Sequence, residues 1–209
     1  MGLIIWSTNF NHPDNEIDSC VESLEKFDAT PGGVIHTSFA QPQQDKPESI
    51  WRDKYDAIIK RALGDLSILK RADYFYQYWM QSYGSGEESH STHDHFSSLD
   101  IISFVHFIRP TSKKCFSFID SYGKSTYPKQ DAGDFMLFPS WALHRVEPHG
   151  LDEKRCVVAG NISVKSMHSP EDRQGKFKSY DAHYINEQTI VWNKSMSESD
   201  KRFPDIWFK

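Results

Sequence analysis

From residue 72 onward the chain is a succession of short apolar runs parted by turn residues, and this texture constrains the fold more than any other feature. The runs are ADYFYQYWMQSY (72–83), LDIISFVHFI (99–108), KCFSFID (114–120), GDFMLF (133–138) and RCVVAGNISV (155–164). Each is rich in aromatic or β-branched residues, which pack well on a pleated surface. Many short strands at this spacing predict a sandwich, jelly roll or small barrel. Ahead of them the texture is different. LIIWSTNF (3–10) suits a strand, and VIHTSFA (34–40) suits another inside a stretch rich in Pro, Gly, Gln and Thr. Ile17, Val21, Leu24 and Phe27 recur at helical spacing, with Asn11 or Asp14 available as a cap. A second helical stripe joins Ile50, Tyr55, Ile58, Ile59 and Leu63 and stops near Gly64. Such stripes predict packing against a sheet.

At 209 residues the chain suits one domain. The expected organisation is an N-terminal strand with supporting helices over 1–70, a β core over 71–165, and a C-terminal extension over 166–209. Trp192, Trp207 and Phe208 suggest that the extension docks back on the core. A net charge of -5 argues against a general nucleic-acid binder, which needs a phosphate-neutralising surface. No apolar run of membrane-spanning length occurs, and the N-terminus lacks the basic region of a signal peptide. Cys20, Cys115 and Cys156 are widely spaced and form no CxxC pair, so reduced, buried, inert thiols are expected. A soluble cytoplasmic protein is the expectation, with the oligomeric state open, a homodimer included.

The chemistry-bearing residues are a split set of imidazoles. His93-Asp94-His95 lies between the first two core strands, and His144 follows some fifty residues later. On an extended segment side chains alternate faces, so His93 and His95 point one way and Asp94 the other. A third imidazole from a distant strand end would close one side of a metal ion, and neutral imidazole suits zinc, iron, copper and nickel. The bland alternative is a pair of polar residues in a polar loop. Arg155 shares its strand face with Val157, Ala159 and Asn161. A planar guanidinium matches a carboxylate in a bidentate way, and the small neighbours would leave room for a ligand beneath it. His90 is out of phase with His93 and reads as a loop residue or a partner of a ligand. His106, in an apolar strand, reads as a hydrogen-bonded core or cavity residue. Tyr78, Tyr83, Phe96 and Trp141 are aromatic candidates for a substrate cleft.

The order H-x-H, apolar strand, GDFMLFPSW, His144, Arg155 and a strand reaching Asn161 resembles a group of iron(II)- and 2-oxoglutarate-dependent oxygenases of the prolyl-hydroxylase-like superfamily. The resemblance covers about residues 72–163. It implies a mainly β double-stranded β-helix, or jelly roll, with flanking helices. It also implies iron(II) on His93, His95 and His144, with 2-oxoglutarate held by Arg155 and Asn161. O2 would be consumed to hydroxylate an unidentified substrate. The superfamily pattern usually has a carboxylate where His95 stands, so Asp94 and Asp100 remain alternative ligands. A cupin that does not use 2-oxoglutarate is the alternative family, matched in outline by Gly86, His93, His95, Asp100, Gly133, Pro139 and His144; Trp141 and the short first gap depart from its pattern.

Overall fold

The computed structural model describes residues 3–27, 35–69, 72–84, 89–96 and 100–167. Ten strands and two helices occur there. The strands are β1 (Trp6–Asn9), β2 (Ile35–Thr37), β3 (Ala72–Tyr83), β4 (His90–His93), β5 (Asp100–Arg109), β6 (Phe116–Ile119), β7 (Ser125–Thr126), β8 (Asp134–Pro139), β9 (His144–Val146) and β10 (Arg155–Met167). The helices are α1 (Asp14–Leu24) and α2 (Arg52–Asp65). A six-stranded sheet has the order β1-β8-β5-β10-β3-β2, and a four-stranded sheet the order β4-β9-β6-β7; every pairing is antiparallel. The C-terminal extension expected to dock on the core lies outside the described residues beyond Met167.

Period-two alternation sorts the large sheet into two faces. Tyr74, Tyr76, Tyr78 and Met80 of β3, with Val158 and Ile162 of β10, pack beneath Ile17, Leu24, Tyr55, Ile59 and Leu63 of the helices. Tyr83, Val105, Phe107, Met136, Phe138 and Val157 face the small sheet and meet Phe116, Phe118 and Val146. Burial on both faces explains why β3 and β5 read as nearly continuous apolar runs. Gly160 of β10 is dictated by close approach: a Cβ there would come within 2.3 Å of the Phe104 ring and 2.4 Å of the Gln77 carbonyl oxygen.

Two helix expectations need correction. Helix α1 starts after Pro13 with no side-chain cap, so neither Asn11 nor Asp14 caps it; proline fixes the entry dihedral and needs no donor there. Ile50 does not belong to the buried stripe and is 62% exposed. Residues 47–51 form a 3-10 turn ahead of α2, and its three-residue period shifts the phase of the stripe. Tyr55, Ile59 and Leu63 are buried as expected.

Strand β2 is too short to cover the edge of β3, pairing only with Tyr83 to Gln81. Beyond it, side chains complete the edge. The Glu48 carboxylate accepts from the Met80 N–H at 3.0 Å and from Ser38 Oγ at 2.5 Å. Lys46 donates to the Tyr78 carbonyl at 2.6 Å. Both charged residues are buried. Burial pushes the Glu48 carboxyl up and lowers Lys46 to about 8.

Candidate metal centre

Three imidazoles meet between the sheets. One ring nitrogen from each of His93, His95 and His144 lies within 4.8 Å of the other two. Ring centroids are 4.4 Å apart for His93 and His144, 5.1 Å for His93 and His95, and 5.0 Å for His95 and His144. His93 closes β4 and pairs in register with His144, which opens β9. His144 therefore starts a strand of the small sheet and does not end the apolar strand before it. Strand β8 stops at Pro139, which has no N–H to continue a ladder, and a turn closed by the Ala142 N–H on the Pro139 carbonyl leads to β9.

His95 lies just past β4, and Ser140 fixes it there. The Ser140 carbonyl accepts the His95 N–H at 2.8 Å, while its own N–H and hydroxyl bond to the Ile101 and Asp100 carbonyls. The serine of FPSW thus ties the histidine segment to β5, a role that only the tertiary hydrogen bonds reveal.

The ring nitrogens are set for metal binding. His93 Nδ1 bonds to the Ser91 carbonyl at 2.7 Å and His144 Nδ1 to the Ala142 carbonyl at 2.8 Å. A carbonyl only accepts, so each Nδ1 carries a proton and each Nε2 is the nitrogen left to face a metal. Burial, followed by the neighbouring histidines, lowers His95 to about 3; burial chiefly lowers His144 to about 4. Neutral rings are the ligand form. Asp94 is exposed and its carboxylate accepts the Phe96 N–H, which keeps it in a local turn. Asp100 is engaged by Ser163 and Asn161, and burial raises it to about 6. Among the described residues, neither aspartate joins the three histidines.

The histidines line a cavity of about 450 Å3, counted with its open mouth. Its wall on the large sheet comes in rungs, because β3 and β10 pair Trp79 with Ala159, Gln81 with Val157 and Tyr83 with Arg155. Arg155 occupies the rung at the start of β10. Its guanidinium lies 4.8 Å from the Tyr83 ring centroid and 5.9 Å from that of Phe107, the residue is 2% exposed, and among the described residues neither terminal nitrogen has a hydrogen-bond partner. A buried, unpaired cation is costly unless an anion satisfies it. The cavity therefore combines a nest of imidazoles with a guanidinium unsatisfied among the described residues, which suits a metal chelator carrying a second, distal carboxylate.

Asn161 is placed differently. It is buried, its amide is taken up by Ser103 at 2.9 Å and Asp100 at 3.4 Å, and it does not line the cavity. His90, out of phase by simple alternation, does line it. Val146 pairs with His90 while His144 pairs with His93, so β4 carries one residue more than β9 in this interval. That bulge reverses the parity and turns His90 inward. Of the aromatic candidates, Tyr83 lines the cavity, Tyr78 packs under the helices, and Phe96 and Trp141 are exposed beside the histidines. His106 is a core residue, bonded to Tyr55 Oη and the Phe10 carbonyl. The three cysteines are free and buried. No helix among the described residues is long and apolar enough to cross a membrane.

No protein-family model matches the sequence, and no curated protein matches it. Solved structures do match the fold. A Pseudomonas putida prolyl-4-hydroxylase is 14% identical over 77% of this chain and 92% of its own, with a TM-score of 0.55. A 2OG-Fe(II) oxygenase-family oxidoreductase from Burkholderia pseudomallei is 16% identical over 71% of this chain and 76% of its own, with a TM-score of 0.54. A Trichoplax adhaerens prolyl hydroxylase, solved with a hypoxia-inducible-factor peptide, is 10% identical over 76% of this chain and 83% of its own, with a TM-score of 0.52. The chain has the double-stranded β-helix fold of the 2-oxoglutarate- and iron(II)-dependent oxygenases.

Proposed function

We propose that this protein is an iron(II)- and 2-oxoglutarate-dependent oxygenase that hydroxylates a C–H bond of its substrate. The carrying observation is the buried guanidinium of Arg155, its terminal nitrogens unpaired among the described residues, in the same cavity as His93, His95 and His144. The three imidazoles would hold iron(II) on one side, leaving its other positions toward the cavity. With O2, the bound metal and cosubstrate supply the oxidising chemistry, in which 2-oxoglutarate yields succinate and CO2 and one oxygen atom enters the substrate as hydroxyl. Arg155 fixes the distal carboxylate and so sets the orientation of the keto-acid end. Tyr83 and Phe107 flank the guanidinium and keep water from it. Val157 and Ala159 leave space along the cosubstrate's carbon chain. Asn161, occupied by Ser103 and Asp100, supports the wall and does not contact the cosubstrate in this reading.

The test is turnover of the cosubstrate. Purified protein with iron(II) and ascorbate converts 2-oxoglutarate to succinate, slowly without substrate. Arg155→Ala weakens 2-oxoglutarate binding about a hundredfold, the cost of breaking a buried Arg–carboxylate contact from one side, and leaves metal affinity close to wild type. Metal binding with neither succinate formation nor 2-oxoglutarate binding would overturn the reading.

A further inference from the structure

The cavity holds a further histidine. His90 is half-buried, lines the same cavity as Arg155, and sits on the opposite sheet. Its ring centroid is 6.2 Å from Tyr83, the residue that also stacks on Arg155, and 5.5 Å from His93. It thus neighbours both a histidine of the metal-binding set and the ring that stacks on the guanidinium. Among the described residues, no protein group is hydrogen-bonded to the His90 ring. The bulge in β4 exists at this point alone in the β4–β9 pair, and its effect is to bring this ring inward.

We propose that His90 is a second hydrogen-bond donor to the distal carboxylate of the dicarboxylate cosubstrate, facing Arg155 across it. This rests on the proposed oxygenase function. Arg155 alone can satisfy one edge of a carboxylate in a bidentate way; the cavity wall also holds Gln81 and Tyr83 on the Arg155 sheet beside apolar Val146, Val157 and Phe116, and His90 offers the remaining lone pairs a donor from the other sheet. Either tautomer of a neutral imidazole presents one N–H. The two-sided grip selects a dicarboxylate over a 2-oxo acid of equal length that ends in a methyl group, which would leave both donors unpaired.

The test is direct binding, measured by calorimetry on the full chain loaded with manganese(II), which does not turn over. The probes are 2-oxoglutarate and 2-oxovalerate, with manganese affinity measured separately. Wild type is expected to prefer 2-oxoglutarate. His90→Phe should weaken 2-oxoglutarate about tenfold to a hundredfold, as loss of a hydrogen bond to a charged group does, and leave 2-oxovalerate and manganese unchanged. His90→Gln, which restores a donor, should recover part of the loss and guards against a folding defect in the phenylalanine variant. An equal loss for both acids would reduce His90 to wall packing, loss of manganese would make it a metal ligand, and unchanged 2-oxoglutarate affinity would remove it from the site; each overturns the proposal. If wild type itself binds no 2-oxoglutarate, the oxygenase reading falls, and this one with it.

Discussion

A set of three neutral imidazoles leaves a divalent metal its full charge until the cosubstrate arrives, unlike a set with one carboxylate. In the proposed reading the third ligand is His95. His95 has a ring in the group, while Asp94 is turned into a local bond with Phe96 and Asp100 is consumed by Ser163 and Asn161. His95→Ala should abolish or severely weaken iron(II) binding, read by calorimetry or metal analysis after dialysis. Asp94→Ala and Asp100→Asn should retain the metal. Loss of metal in the Asp100 variant with retention in His95→Ala would reverse the assignment. 2-Oxoglutarate, a dianion, should in turn tighten metal retention in the wild type.

At the scale of elements, the edge of β3 is where the fold is most exposed to a single change. Strand β3 carries Trp79, Gln81 and Tyr83 into the cavity, and its outer edge past β2 is completed by Glu48 and Lys46 instead of by a further strand. Buried backbone groups need partners, and a bare edge also invites pairing with another chain. Glu48→Ala strands the Met80 N–H on Ser38 alone and leaves buried Lys46 without its nearby anion. It should cost about 2 kcal/mol in urea denaturation, with Glu48→Gln, which keeps an acceptor, costing less. Equal stability of the alanine variant and wild type would show that this edge is satisfied by other means. The β4 bulge and the Pro139 stop work at this same scale: each re-aims a histidine by altering strand parity or ending a ladder, with no change in the histidine itself.

At the scale of the whole molecule, His106 links parts of the chain that are distant in sequence. On the large sheet, it bonds Tyr55 of α2 and the carbonyl of Phe10, and its ring stacks on Phe10 at 4.0 Å. It is fully buried, and burial lowers it to about 3 from an ordinary value of 6.5. The sign of its pH effect follows. Between these values the unfolded chain takes up a proton that the folded chain refuses, so stability falls as pH drops through 6.5 and toward 3. Relative to His106→Gln, wild type should lose about 1 kcal/mol for each pH unit between 6 and 4, measured by denaturation at several pH values. A pH-independent difference between the two proteins would show that His106 is protonated in the folded state.

Local order was legible in the residues themselves. The strand over 72–83, the buried stripe Tyr55–Ile59–Leu63 and the shared face of His93 and His95 all follow from period-two or period-3.6 spacing, which is a property of the backbone wherever it lies. The inward turn of His90, the withdrawal of Asn161 and Asp100 from the cavity, the staple made by Ser140 and the edge completed by Glu48 were not legible. Each depends on which residue of a distant strand stands opposite, and on one extra residue in β4 that reverses the parity of everything before it. The sequence by itself determined which side chains are chemically able to bind a metal and a carboxylate. Only the tertiary structure decided which of them share a cavity, because register between strands far apart in the chain is set by packing of the two sheets and not by spacing along either one.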